Sequence, residues 1–105
     1  MVTYNITFIV EPSQENKLIK YLKDDLIPEI ITFPEISSPS IRKVIEAGGE
    51  KPSEDHGLSI ALSIDLPSEE KAHLWHDHTL LPNLNNFQNK FGNQALFFIT
   101  LLENL

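Results

Sequence analysis

The chain has 105 residues, with 15 acidic and 8 basic side chains that give a formal net charge of -7, and it contains no cysteine. The absence of Cys excludes disulfides, thiolate metal sites, iron–sulfur clusters and Cys nucleophiles. The acidic balance provides no cluster of Lys and Arg for phosphate contacts, so nucleic acid is not an expected partner. The length fits one domain over residues 1–105.

The same composition argues against a membrane protein. No wholly apolar run approaches the ~20 residues that a membrane-spanning helix needs. The opening residues, MVTYNITFIVEP, lack the basic n-region of a signal peptide. We therefore expect no membrane partner and a cytoplasmic location.

The first half of the chain predicts a strand, a helix and a second strand. Apolar and polar side chains alternate over the opening residues, as in a strand with one buried face. A helix is expected to start from an N-cap at Ser13 and to end or kink at Ile27, because Pro28 disfavours helical geometry in the residue before it. Residues 34–40 predict an extended connector, and residues 41–47 predict an edge strand of mixed polarity.

The second half predicts a loop followed by a strand, a helix and a final strand. Residues 48–57 form a polar, glycine-bounded loop. Residues 58–66 alternate without interruption, with one apolar face and one small, mainly polar face. Ser68 is a strong N-cap for a helix, in which Pro82 predicts two segments with a kink. Residues 95–102 are apolar on nearly every position, which predicts a strand covered on both faces.

This order of elements predicts an α+β fold of the ferredoxin-like βαββαβ type, a four-stranded antiparallel sheet with both helices on one face. The other face would carry alternate residues of the last strand together with Thr3, Asn5, Thr7, Ile9, Ser59, Ala61, Ser63 and Asp65. Since an apolar patch on that face would be exposed in a monomer, we expect a homodimer that packs sheet against sheet. The alternative is that the C-terminal tail or the connector folds over the patch.

Four short segments carry a resemblance to a known family. They are Val2-x-Tyr4-Asn5-Ile6-Thr7, Leu26-Ile27-Pro28-Glu29, His78 to Phe91, and Phe97 to Leu102. Together they resemble the uncharacterised bacterial domain-of-unknown-function family 4286. The resemblance implies a ferredoxin-like fold related to the dimeric α/β barrels, a superfamily that includes cofactor-free monooxygenases, chlorite-dismutase-like haem proteins and members without known activity. It implies no catalytic residue.

The segment HLWHDH places three His within six residues. On a helix that advances about 100° per residue, His73 and His76 lie about 60° apart, while His78 lies roughly 160° from His76. One metal ion cannot contact all three, and a site on His73 and His76 would need a further ligand such as His56. We therefore expect no metal and no cofactor.

Small polar residues, one carboxylate and one imidazole are the candidate ligand-binding residues. They are Asn5, Ser59, Ser63, Asp65 and His78. Asp65 is a candidate base if it is buried, and otherwise lies in water at a strand end. His78 is either a ligand contact or a core-edge residue bonded to the backbone.

Two further side chains leave alternatives open. Arg42, the only Arg, could hold an anionic ligand or pair with Glu46. Trp75 is expected in the core, with a dimer contact or a ligand as its alternative partner.

The preferred function is a small homodimeric domain that binds or senses a small ligand without catalysis. The alternative is a cofactor-independent monooxygenase-like enzyme, or a related small-molecule enzyme of the dimeric-barrel type. It would use space between the sheet and the helices, lined by Asn5, Ser59, Ser63, Asp65 and a His of the second helix. Whether the protein is an enzyme is left open by the sequence.

Overall fold

The computed structural model describes residues 1–32, 36, 39–45 and 57–105. Its four strands are β1 (Val2–Val10), β2 (Ser40–Lys43), β3 (Leu58–Leu66) and β4 (Ala95–Glu103). They form one antiparallel sheet in the order β2-β3-β1-β4. This arrangement confirms the predicted ferredoxin-like α+β fold. The far end of the predicted second strand and most of the predicted loop, including Glu46 and His56, lie outside the described residues.

Two helical stretches connect the strands. The first helix consists of α1 (Glu15–Tyr21), a π turn (Leu22–Leu26) and α2 (Ile27–Ile30); the second consists of α3 (Glu69–Trp75), a π turn (His76–Leu80) and α4 (Leu81–Phe91). The predicted N-cap of the second helix is present, because the Ser68 side chain accepts a hydrogen bond from the Lys71 backbone N–H at 3.2 Å.

Each helix widens into a π turn just before its proline. The Ile27 N–H donates to the Leu22 carbonyl, and the Leu81 N–H donates to the His76 carbonyl, both five residues back. A proline ring in a regular α-helix clashes with the carbonyl four residues earlier, and the wider turn relieves this crowding. The first helix therefore continues past Pro28 to Ile30, so of the two predicted outcomes at Ile27, an end or a kink, the structure excludes the end.

Both helices cover the same face of the sheet. That face carries the alternate apolar residues of β1 and β3, which are Val2, Tyr4, Ile6, Phe8, Val10, Ile60, Leu62, Ile64 and Leu66, all buried. The second helix contributes a row of apolar residues at helical spacing, Leu80, Leu84, Phe87 and Phe91, which are also buried. No helix among the described residues is long and apolar enough to cross a bilayer.

Trp75 connects the two helices and the sheet. It is fully buried, its Nε1–H donates to the Ile30 carbonyl at 2.9 Å, and its ring meets the Tyr4 ring edge-on at 5.0 Å between centroids. Of the alternatives open for Trp75, core packing is therefore the one that the structure shows.

The prediction that β4 is covered on both faces does not hold within one chain. β4 lies at the edge of the sheet and pairs with β1. On the face away from the helices, Leu96, Phe98 and Leu102 are 61%, 57% and 50% exposed. Asn104 and Leu105, the tail after β4, leave these side chains exposed.

Replacing Trp75 tests the junction of helices and sheet. Trp75→Phe keeps an aromatic ring but leaves the Ile30 carbonyl without its donor, so we expect a loss of about 1–3 kcal/mol in the free energy of unfolding. Urea denaturation measures this loss. Leu74→Ala, at an exposed neighbour, should change the free energy by less than about 0.5 kcal/mol. Equal effects of the two substitutions would contradict this role of Trp75.

Candidate functional site

The sheet presents an uncovered face, which we call the open face. The strand registers place on it Thr3, Asn5, Thr7, Ile9, Ser40, Arg42, Ser59, Ala61, Ser63, Asp65, Leu96, Phe98, Thr100 and Leu102. Thr3, for example, pairs with Asp65 on one side and with Leu102 on the other. Four of the five candidate residues from the sequence therefore share this face.

Hydrogen-bonded polar side chains run along the centre of the open face. We call them the polar strip: Thr3, Asn5, Thr7, Ser63 and Asp65. The Thr3 hydroxyl donates to Asp65 Oδ1 at 2.6 Å, and the Ser63 hydroxyl donates to Asn5 Oδ1 at 2.8 Å. Asn5 Nδ2 in turn donates to the Thr7 hydroxyl at 3.2 Å. These bonds fix the orientations of the side chains in the polar strip, because each side chain bonds to one on the adjacent strand or to one two residues away on its own strand.

A concavity of about 600 Å³, which we call the polar concavity, lies over one end of this strip. Its lining is Thr3, Asn5, Ser40, Arg42, Ser63, Asp65 and Leu102. It brings together the candidates Asn5, Ser63 and Asp65. Ser59 lies on the same face but pairs with Ile9 near the other end of the strands, and it does not line the concavity.

The structure separates His78 from the other candidates. His78 is exposed on the second helix, beside Leu74 and Leu81, which are 43% and 44% exposed. The helices pack against the opposite face of the sheet, and the space between the two layers is filled by the apolar core. The hypothesis that a His joins Asn5, Ser59, Ser63 and Asp65 in that space is therefore wrong.

The other His residues of the second helix contact nearby carboxylates. His73 Nε2 lies 3.4 Å from Glu69 Oε1, and His76 Nδ1 lies 3.0 Å from Asp77 Oδ1. Across the described residues, no group of three His, Asp or Glu side chains is placed to hold a metal ion.

Arg42 is the cationic group of the polar concavity. Its side chain is exposed, and no ion pair joins it to a carboxylate within the described ranges. The sequence named Arg42 as one way to hold an anionic ligand and put Thr3 on this face, but it did not group Arg42, Thr3 or Ser40 with the candidate residues. The signal was the β2–β3 register, which sets Ser40 opposite Ser63 and Arg42 opposite Ala61, and which the single sequence did not determine.

A second polar contact lies on the helix side of the sheet, at the π turn of the second helix. The rings of Tyr4 and His76 stack with centroids 6.0 Å apart. Burial, and secondarily the negative charge of Asp77, raises the pKa of Tyr4 to about 12. Tyr4 therefore stays protonated at neutral pH.

Comparisons with known proteins give a family and a fold. A family model described as Domain of unknown function (DUF4286) matches residues 1–105. A comparison with curated protein sequences finds no match.

Solved structures from three organisms are similar over nearly the whole chain. An ethyl tert-butyl ether d (ethd) family protein from Bacillus halodurans has a TM-score of 0.71 at 10% identity, covering 100% of both chains. A candidate monooxygenase from Shewanella loihica has a TM-score of 0.60 at 15% identity, covering 99% of this chain and 93% of its own. A dimeric ferredoxin-like protein of unknown function from Thermobifida fusca has a TM-score of 0.52 at 14% identity, covering 96% and 92%. At these identities the likeness shows the fold alone.

The raised pKa of Tyr4 predicts a loss of stability at high pH. The folded state keeps the Tyr4 proton more tightly than the unfolded state, whose Tyr pKa is about 10. The contribution of Tyr4 to the free energy of unfolding is therefore fully present below pH ~10 and is lost as the pH rises through the folded-state pKa of about 12.

Tyrosinate absorbance measures this pKa directly. The chain has 2 Tyr, so Tyr21→Phe leaves only Tyr4, which should titrate near 12 while the protein stays folded. Tyr4→Phe is the matched variant and reports Tyr21, whose pKa is also raised by burial. An ordinary Tyr titration in folded Tyr21→Phe would contradict the burial of Tyr4.

Proposed function

The chain belongs to the family described as Domain of unknown function (DUF4286), and we propose that it is a homodimeric domain that binds a small molecule. In this proposal the open faces of two copies pack together, and the polar concavity holds the ligand between them. The observation that carries the proposal is an exposed apolar stripe, formed by Leu96, Phe98 and Leu102 of β4, that lies beside the polar strip on the face that the helices leave uncovered.

Charge favours a second copy as the occupant of the open face. The whole chain carries a formal net charge of -7, so two copies repel each other over most of their surfaces. The open face carries one Arg and one Asp and no other charged residue among those described, so its own net charge is zero. Two open faces can therefore approach each other with little electrostatic repulsion. The remaining surface carries the excess negative charge, so contacts through it would be opposed by repulsion.

The size of the open face is compatible with a stable interface. Three of its strands have nine residues. Strands of that length, in a four-stranded sheet, span roughly 30 Å by 19 Å, on the order of 500 Å² in projection. The accessible area of side chains exceeds their projection, so the face approaches the roughly 800 Å² that each partner buries in a standard interface.

The exposed stripe gives the interface an apolar component. Leu96, Phe98 and Leu102 stand on the open side of β4, and burying them removes apolar surface from water. The neighbour from Thermobifida fusca is described as dimeric. Its dimer supports the expectation for a chain with the same fold.

The polar concavity supports ligand binding rather than catalysis. It has hydroxyls, an amide, a guanidinium and a carboxylate around a volume of about 600 Å³, which is in the range of small-molecule sites. A second copy packed over it would reduce its access to water. Its described lining contains Asp65 but no His, so the imidazole that the enzyme alternative took from the second helix is not among these groups.

A charge placed in the apolar stripe should separate the copies. Sedimentation at micromolar concentration should show wild type as a dimer and Phe98→Asp as a folded monomer, with dimer affinity weakened by about 100-fold or more, because an unpaired carboxylate would be buried. Leu81→Asp is the matched control on the outer side of the second helix and should stay dimeric. A monomeric wild type, or a dimer lost equally in both variants, would refute dimerisation through the open face.

A further inference from the structure

We infer that the polar concavity binds a small zwitterion, with the ligand's carboxylate at Arg42 and its ammonium group at Asp65. The inference rests on the proposed function in that the ligand occupies the same site. It adds the chemical class of the ligand and the role of each charged residue.

Arg42 is suited to an anionic group. It is the cation in the concavity, and its planar guanidinium can donate two parallel hydrogen bonds to a carboxylate. Ser40 precedes it by two residues on the same face and also lines the concavity. Ser40 lies opposite Ser63, midway between the levels of Arg42 and Asp65, so its hydroxyl is a further donor near the middle of the concavity.

Asp65 is suited to a cationic group. Its Oδ1 accepts the Thr3 hydroxyl at 2.6 Å, which fixes the direction of the carboxylate. Its Oδ2 accepts no hydrogen bond from any described residue, so this oxygen is open to a ligand. An ammonium group supplies both the positive charge and the donors that a carboxylate pairs with best.

The distance between the two charges sets the length of the ligand. Arg42 lies opposite Ala61, and Asp65 follows Ala61 by four residues on the same strand. At about 3.3 Å per residue, the two positions are separated by roughly 13 Å along the strand. The long Arg side chain can span part of this distance, so the charged ends of the ligand are a few carbon atoms apart.

Ligands with one charge fit the concavity less well. An anion alone would leave Asp65 unpaired beneath the second copy, and a cation alone would leave Arg42 unpaired. The polar strip residues Asn5 and Ser63 already bond to each other. They therefore form the wall of the concavity between Arg42 and Asp65 and add no charge to it.

Calorimetric titration of the wild-type protein with three matched probes tests the inference. The probes are γ-aminobutyrate, butyrate, which lacks the ammonium, and butylamine, which lacks the carboxylate. We expect γ-aminobutyrate to bind at least about 10-fold more tightly than either control, because each control loses one charge-assisted contact.

Variants that remove one charge assign the two ends. Arg42→Gln and Asp65→Asn should each weaken γ-aminobutyrate binding by about 10-fold or more. The matched controls are Lys43→Gln, whose cation pairs with Glu15 on the helix side of β2 at 2.7 Å, and Asp24→Asn on the first helix. Both controls should leave the affinity unchanged.

Sedimentation of the same samples separates this inference from the proposed function. The zwitterion assignment is overturned, while the ligand site stands, if a singly charged probe binds as tightly as γ-aminobutyrate. The same holds if Arg42→Gln leaves the affinity for γ-aminobutyrate unchanged. If no probe binds and both Arg42→Gln and Asp65→Asn disrupt the dimer, these residues pair between copies, which also overturns the inference. A monomeric wild type would reject the dimer, and tight γ-aminobutyrate binding by it would still support the assignment.

Discussion

The pairing of β1 with β3 on one side and with β4 on the other decides which side chains share a face. Because successive residues of a strand point to opposite faces, this register sends the large apolar residues of β1 and β3 toward the helices. It sends Thr3, Asn5 and Thr7 the other way. A slip of one residue would exchange the two sets and expose the core, so the register that buries the core also builds the open face.

The two faces use hydrogen bonds differently. On the helix side, the bond from Trp75 to the Ile30 carbonyl joins the second helix, just before its π turn, to the end of the first helix within an apolar core. On the open side, side chains of the polar strip bond to one another across strands, and the charges of Arg42 and Asp65 remain available to other molecules. One face thus contributes stability, and the other presents fixed polar groups beside an exposed apolar stripe, the combination on which the proposed dimer and its ligand site depend.

The sequence predicted the sheet and its two faces because alternation is strongest where one side is buried, as in β1 and β3. It also predicted the N-cap of the second helix and its division into two segments, but it did not predict the π turn between them. From Trp75 the buried stripe steps five residues to Leu80, because the π turn adds one residue before Pro82. An ideal helical count does not contain that step, and the turn leaves His78 exposed beside Leu74 and Leu81. The sequence named Arg42 as one way to hold an anionic ligand but did not group it with Ser63 and Asp65, because its place depends on the β2–β3 register, which local patterns do not fix.

The proposed dimer requires a second copy to cover the open face. Isotope-filtered nuclear Overhauser effects, recorded on an equal mixture of labelled and unlabelled protein, detect contacts between copies only. A dimer through the open face predicts intermolecular effects between the Phe98 ring and side chains of the open face, such as Ile9 and Leu102. Intermolecular effects confined to the outer side of the second helix, at Leu74 and Leu81, or none at concentrations where the protein is a dimer, would contradict it.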